Sequence, residues 1–232
     1  MRIDVLSLFP EYFTSPLEVS MIKRAIDKQL LDINLVDIRS YANDKHRRVD
    51  DRPFGGGPGM VLKPEPVSRA IRDCRKSDSK VIYLSPQGRL LKARDCAELA
   101  KLSHLILVCG HYEGLDERVI EKDIDEEISI GDYVLTNGCL AALVVIDSVM
   151  RFISGVLGHE EGAQKDSFQN GLFDSPHYTK PVDFEGMVVP EVLRNGNHAE
   201  IQMWRDGQAL NKTKKVRPDL VLEIEKRKKE II

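Results

Sequence analysis

No C-x-x-C pair and no zinc-type spacing joins the four cysteines of this 232-residue chain, Cys74, Cys96, Cys109 and Cys139. They read as free, mostly buried thiols of a reducing compartment. No apolar run approaches the roughly 18 residues of a membrane span. The N-terminal apolar run is too short for a signal peptide and is broken by Arg2 and Asp4. The expectation is a cytoplasmic protein with no membrane partner. The chain has no basic excess either. Its net charge of −3 excludes a general nucleic-acid coat, which would be basic throughout. Internal repeats and low-complexity tracts are missing, and no Lys-Ser/Thr follows the glycine cluster at Gly55–Gly59, as a P-loop would require.

What is present is ordinary in bulk, with 42% hydrophobic and 31% charged residues, enough for a real core. The charge is uneven: residues 194–232 carry ten Lys/Arg against six Asp/Glu, while the rest of the chain is acidic. A basic tail region on an acidic body suits local contact with a polyanion. Lys-rich helix faces are also commonly just solvated.

Patterning predicts strands at Met1–Phe9, Leu31–Ile38, Lys80–Ser85 and Leu105–Cys109. Between them it predicts helices at Ser15–Leu30, Pro64–Arg75 and Leu91–Leu102. This alternation implies an α/β fold with a mostly parallel sheet. A further helix is predicted at Cys139–Ile153, a polar linker at Gly155–Pro181, and short helices at Val188–Leu193, His198–Leu210 and Pro218–Lys229. The resulting division is a cofactor-binding α/β domain at 1–157, a linker at 158–181 and a small α-helical C-terminal domain at 182–232.

Two glycine turns carry the chemistry: Cys109–Gly110–His111–Tyr112–Glu113–Gly114–Leu115–Asp116–Glu117–Arg118–Val119 and Ser129–Ile130–Gly131–Asp132–Tyr133–Val134–Leu135–Thr136–Asn137–Gly138. Strand ends of an α/β sheet are where small ligands settle, and glycine lets the main chain approach them. Two such turns close in sequence suggest two walls of one pocket. In the loop Tyr41–Met60, Lys45, His46, Arg47 and Arg48 precede the glycine-rich stretch Val49–Met60 and Arg52 sits within it. Both a lid over a phosphate backbone and a solvated loop are compatible with it. Asp166, on the linker, could act as a base if desolvated, since an unperturbed Asp titrates near about 3.9. Arg151 could stabilise charge on a substrate oxygen. His111, His177 and His198 match no zinc spacing. Trp204 reads as a core anchor of the small domain, and Lys212–Arg217 as either a phosphate contact or a solvated loop.

Further stretches complete the pattern: Ser7–Glu11, Val49–Met60, Tyr83–Gly88, Asp147–Val149, Asp166–Phe168, Pro176–Thr179 and Gly196–Ile201. Together, nearly end to end, they strongly resemble the bacterial tRNA (guanine-N1)-methyltransferases of the SPOUT class. The resemblance implies a deep trefoil knot, which topology priors would have excluded. It implies S-adenosylmethionine held at the positions matching Tyr83, Leu84, Ser85, Pro86, Gly110, Tyr112, Glu113, Gly114, Ser129, Ile130, Gly131, Tyr133, Leu135 and Gly138. Asp166 matches the family's base and Arg151 its cation at guanine O6. A Mg²⁺ ion is associated with the family, with Glu113, Asp166 and Asp174 as candidate ligands. The implied substrate is guanosine 37, just 3′ of the anticodon in tRNA, and the implied assembly is a homodimer with active sites shared between subunits. The chain departs from the pattern at Asn137, where glycine is usual, at Cys139 and Ala141, which replace Glu and Pro, and at His111, where Arg or Lys is common. Asn tolerates left-handed backbone, so the turn is expected to survive.

Overall fold

The strand β1 (Arg2–Ser7) is buried along both faces, which is what a central strand of a parallel sheet requires. The computed structural model describes residues 1–158 and 162–230. Residues 159–161 of the expected linker and 231–232 of the expected C-terminal domain lie outside the described residues. The chain divides into two compact units, one to about residue 160 and one after it.

In the first unit β1 is followed by the short helix α1 (Thr14–Leu17), α2 (Ser20–Asp27) and β2 (Asp32–Asp37). A two-residue ladder, β3 (Asp50–Asp51) against β4 (Val61–Leu62), closes the base of the glycine-rich loop. Then come α3 (Pro64–Cys74), β5 (Ser79–Leu90), α4 (Ala93–Leu99), β6 (His104–Cys109), α5 (Glu117–Asp123), β7 (Glu126–Ser129) and α6 (Cys139–Met150). The sheet order is β2-β1-β6-β5-β7, and every neighbouring pair is parallel.

Alternation along β6 builds two cores. Leu105, Leu107 and Cys109 point to the face covered by α6, with Ala142, Val145, Ile146 and Val149. Ile106 and Val108 point to the face covered by α3, with Val67, Ala70 and Ile71. Each such aliphatic side chain contributes about 1.5–3 kcal/mol on burial. A buried polar network ties the strand starts on the edge away from the glycine turns. Asp4 accepts from Arg2 and Asn34 and lies 2.8 Å from His104 Nε2, whose Nδ1 lies 2.7 Å from Ser79 Oγ.

The helix predicted at Ser15–Leu30 is broken: Val19 is extended and Ser20 has φ +56°. The strand predicted at Lys80–Ser85 runs on to Leu90, because the chain shifts register between Leu84 and Arg89 and pairs again with β7. α5 and β7 are too short and too polar to have shown periodicity.

In the second unit α7 (Gly162–Lys165) precedes a looped stretch, followed by the hairpin β8 (Asp183–Phe184) and β9 (Met187–Val188). Val188–Leu193 is therefore not one helix. Glu185 and Gly186 both take positive φ, the two-residue turn that matches hairpin twist, and only Glu191–Leu193 makes a 3-10 turn. α8 (His198–Val216) and α9 (Pro218–Glu230) complete the unit. α8 outlasts its predicted end by six residues, running to Val216. Asn197 caps it by accepting the Ala199 and Glu200 N–H groups. Among the described residues no helix is long and apolar enough to cross a membrane.

Candidate active site

At the carboxyl ends of β5, β6 and β7 the chain encloses a cavity of about 330 Å³. That is a volume suited to a small ligand. Three segments line it: Tyr83–Gln87 of β5, the first glycine turn Gly110–Leu115, and the stretch from Ile128 through Gly138. All fourteen positions matched to cofactor contacts lie on this one lining.

The two turns are clasped. Gly138 N–H donates to Gly110 O at 2.9 Å, and His111 bridges Asn137 beside it. A Cβ at Gly138 would meet Cys109 Cα at 3.0 Å, so the approach depends on glycine. Tyr83 is 6% exposed, and its hydroxyl would stand 2.8 and 2.9 Å from a Cβ at Gly110 and Gly114. Gly114 also needs φ +109°, and Tyr112 before it takes +59°. Burial pushes the Tyr83 phenol up from its ordinary value, against a lowering hydrogen bond with the Leu115 backbone, so it is neutral. Ser129 Oγ bonds both the N–H and the carbonyl of Gly131 and holds the second turn open over the cavity.

The glycine-rich loop reaches this site. Glu113 N–H donates to Met60 O at 2.9 Å, and a Cβ on Gly59 would fall 2.4 Å from Glu113 Oε1. Phe54, at the loop's tip, is fully exposed. Behind the cavity Cys139 Sγ lies 3.3 Å from Ser7 Oγ. Hydrogen bonds from the Cys109 thiol and then Ser7 bring Cys139 down to about 7, while the same pairing and burial raise Cys109. His111 is 8% exposed, its Nδ1 has no hydrogen-bond partner among the described residues, and its ring lies 5.1 Å from that of Phe9. Burial lowers its pKa, so it stands neutral. Asn137 is not among the residues with positive φ, and its Oδ1 accepts the Cys139 N–H at 2.9 Å. The left-handed conformation expected there does not occur.

Arg151 is the residue that ends α6, in the first unit. Asp166 directly follows α7, in the second. Asp174 belongs to the second unit too. Desolvation would raise its pKa, but His177, 2.8 Å away, and the Ser175 N–H outweigh it and bring it down. Glu113 belongs to the first unit. Among the described residues no three His, Cys, Asp or Glu side chains gather as a metal site. Gln87, Leu115, Glu117 and Thr136 also line the cavity without having been singled out. They interleave with chosen positions in the same motifs, so taking each motif whole would have found them.

Comparison with known proteins places this geometry. The family model described as tRNA (Guanine-1)-methyltransferase TrmD matches residues 1–223. A protein of Protochlamydia amoebophila named tRNA (guanine-N(1)-)-methyltransferase is 59% identical over 221 residues, covering 95% of this chain and 100% of that protein. Proteins of the same name from Chlamydia pneumoniae and Chlamydia trachomatis serovar D are 59% and 55% identical over 96% of this chain. This chain spans 61% and 63% of those two longer relatives. With a model matched almost end to end, and one relative covered in full, the chain belongs to the tRNA (guanine-1)-methyltransferase family.

Proposed function

We propose that this chain methylates N1 of guanosine 37 in tRNA, taking the methyl group from S-adenosylmethionine. One observation carries the reading: two glycine turns clasped at Gly110–Gly138 around a cavity at the strand ends, in a chain of this family. Close backbone approach by Gly110, Gly114 and Gly138 suits a cofactor gripped by main-chain groups. Bound there, S-adenosylmethionine supplies an electrophilic methyl carbon.

Guanine N1 carries a proton at neutral pH and is a poor nucleophile. Asp166 takes that proton as N1 bonds the methyl carbon; the carbon–sulfur bond breaks with its electron pair kept by sulfur, and S-adenosylhomocysteine is the leaving group. The electron density that would otherwise build on O6 is held by the Arg151 guanidinium, a fixed charge-assisted donor. The remaining task is alignment of N1 with the methyl carbon at about 3–3.5 Å. The glycine-rich loop, resting on Glu113 by Gly59, suits a lid over the bound nucleotide. The basic stretch 194–232 of the C-terminal domain takes the body of the tRNA.

A deep knot is part of the proposal. It is supported by the path of the chain: Arg89 and Leu90 reach over to pair with Ile128 and Ser129, while residues 130–138 return to Gly110 at the end of β6. A homodimer sharing its sites is supported by α6, whose Leu140 and Val144 are 45% and 42% exposed one turn apart. The four unbridged, buried thiols suit the cytoplasm.

The test is transfer of labelled methyl to a tRNA transcript with guanosine 37, beside a twin with adenosine there. Labelling of the first only is expected, and labelling of both, or of neither, overturns the assignment. Asp166→Asn and Arg151→Ala are each expected to lower kcat by about 10²–10⁴-fold, the range of a lost acid–base or oxyanion contact.

A further inference from the structure

We infer that Thr213, on α8, is a positioning residue for the reaction, fixing the loop that carries Asp166. The inference rests on the proposed role of Asp166 as the base. Thr213 is fully buried, and its Oγ1 has two fixed tasks. It donates to Ala209 O at 2.7 Å within α8, and it accepts the Phe173 N–H at 2.9 Å from the loop. The first bond sets the direction of the hydroxyl, leaving its lone pairs for the loop amide.

The loop also carries ties within itself. Asp174 N–H donates to Ser167 Oγ at 2.9 Å, and Phe168 N–H to Leu172 O at 2.7 Å. The rings of Phe168 and Phe173 meet edge to face with centroids 5.5 Å apart. These ties join the residues beside Asp166 to the residues beside Phe173, so the anchor at Phe173 is transmitted to the backbone that carries Asp166. A buried threonine hydroxyl on a long helix is a rigid anchor for it. Asp166 therefore travels with α8, the helix proposed to meet tRNA, as one body. Substrate docking and placement of the base become a single event.

The test compares Thr213→Val, which keeps the shape and removes the acceptor, with Thr213→Ser, which keeps the acceptor. Both are made in the full chain, alone and with Asp166→Asn. Thr213→Val is expected to lower kcat by roughly 10–10²-fold, the cost of misplacing a reacting group by about 1 Å. KM for tRNA and for S-adenosylmethionine should stay within about twofold, and Thr213→Ser should restore kcat. Hydrogen exchange at the Phe173 amide should speed up in Thr213→Val and not in Thr213→Ser. In the Asp166→Asn background Thr213→Val should cost nothing more, because a residue acting through Asp166 has nothing left to place. Unchanged kcat in Thr213→Val beside a slow Asp166→Asn overturns the inference and leaves the base in place. A loss in Thr213→Val that is undiminished in the Asp166→Asn background, or one seen only in KM, overturns it too. Full turnover by Asp166→Asn overturns the base and the inference together.

Discussion

Asn137 illustrates how one side chain can hold a turn that glycine would leave to the backbone. It forgoes left-handed φ and spends its amide oxygen on the Cys139 N–H, a donor in the first turn of α6 that has no partner within the helix. Asn137→Ala is therefore expected to lower stability by about 1 kcal/mol, as loss of a helix cap does, read as a shifted urea midpoint at constant slope. Asn137→Gly should not tighten binding of S-adenosylhomocysteine, because no strained conformation is there to relieve. Tenfold tighter binding by that variant would refute the account. The sequence marked Asn137 as a departure but not its consequence, which depends on φ and on a partner two residues on. His111 was opaque for a different reason: its packing partner, Phe9, lies about a hundred positions away. The glycines were legible because their work is local, a positive φ at Gly114 or a missing Cβ at Gly138.

Among the elements, β5 departs most from its reading. Its apolar run ends near Ser85, which is where pattern alone stops it, yet the strand resumes after a register shift and lays Arg89 and Leu90 against β7. Gly88 makes that bend possible: a Cβ there would fall 2.5 Å from Glu127 C and Ile128 N, both main-chain atoms that cannot step aside. Gly88→Ala is expected to part β5 from β7 and to destabilise by more than about 2 kcal/mol, in the range of overpacked positions. A thermal midpoint within about 1 °C of the parent would count against it. β1, β6 and α3 were legible since continuous burial and a 3.6-residue stripe are written in their own residues. β7 was not, because its Glu126–Glu127 start reads as loop and only pairing with β5 makes it a strand. The Glu185–Gly186 turn shows the same limit, with flanks of two residues each that are too short to show alternation.

For the molecule as a whole, the parallel α/β class could be read from alternation. The path by which residues 130–138 return to β6 could not, because strand order is a property of pairing and not of any one segment. Assembly is a second property of this scale. Leu140 and Val144 leave an apolar stripe on a helix whose other sides are buried in the core. The double variant Leu140→Glu/Val144→Glu is expected to sediment as a folded monomer, with unchanged far-ultraviolet circular dichroism and with methyl transfer lost. A variant that still sediments as a dimer would place the interface elsewhere.

The Gly110–Gly138 hydrogen bond joins a finished strand to a stretch laid down 28 residues later. Until that stretch has come home the cavity has only two of its three walls, so ligand binding can begin only after this chain has completed its topology. A bound nucleoside ligand then acts as a latch. It is expected to slow escape from the native state without hastening arrival there, the outcome for contacts that form after the barrier. Denaturant-jump kinetics with saturating S-adenosylhomocysteine should show a slower unfolding arm and an unmoved refolding arm.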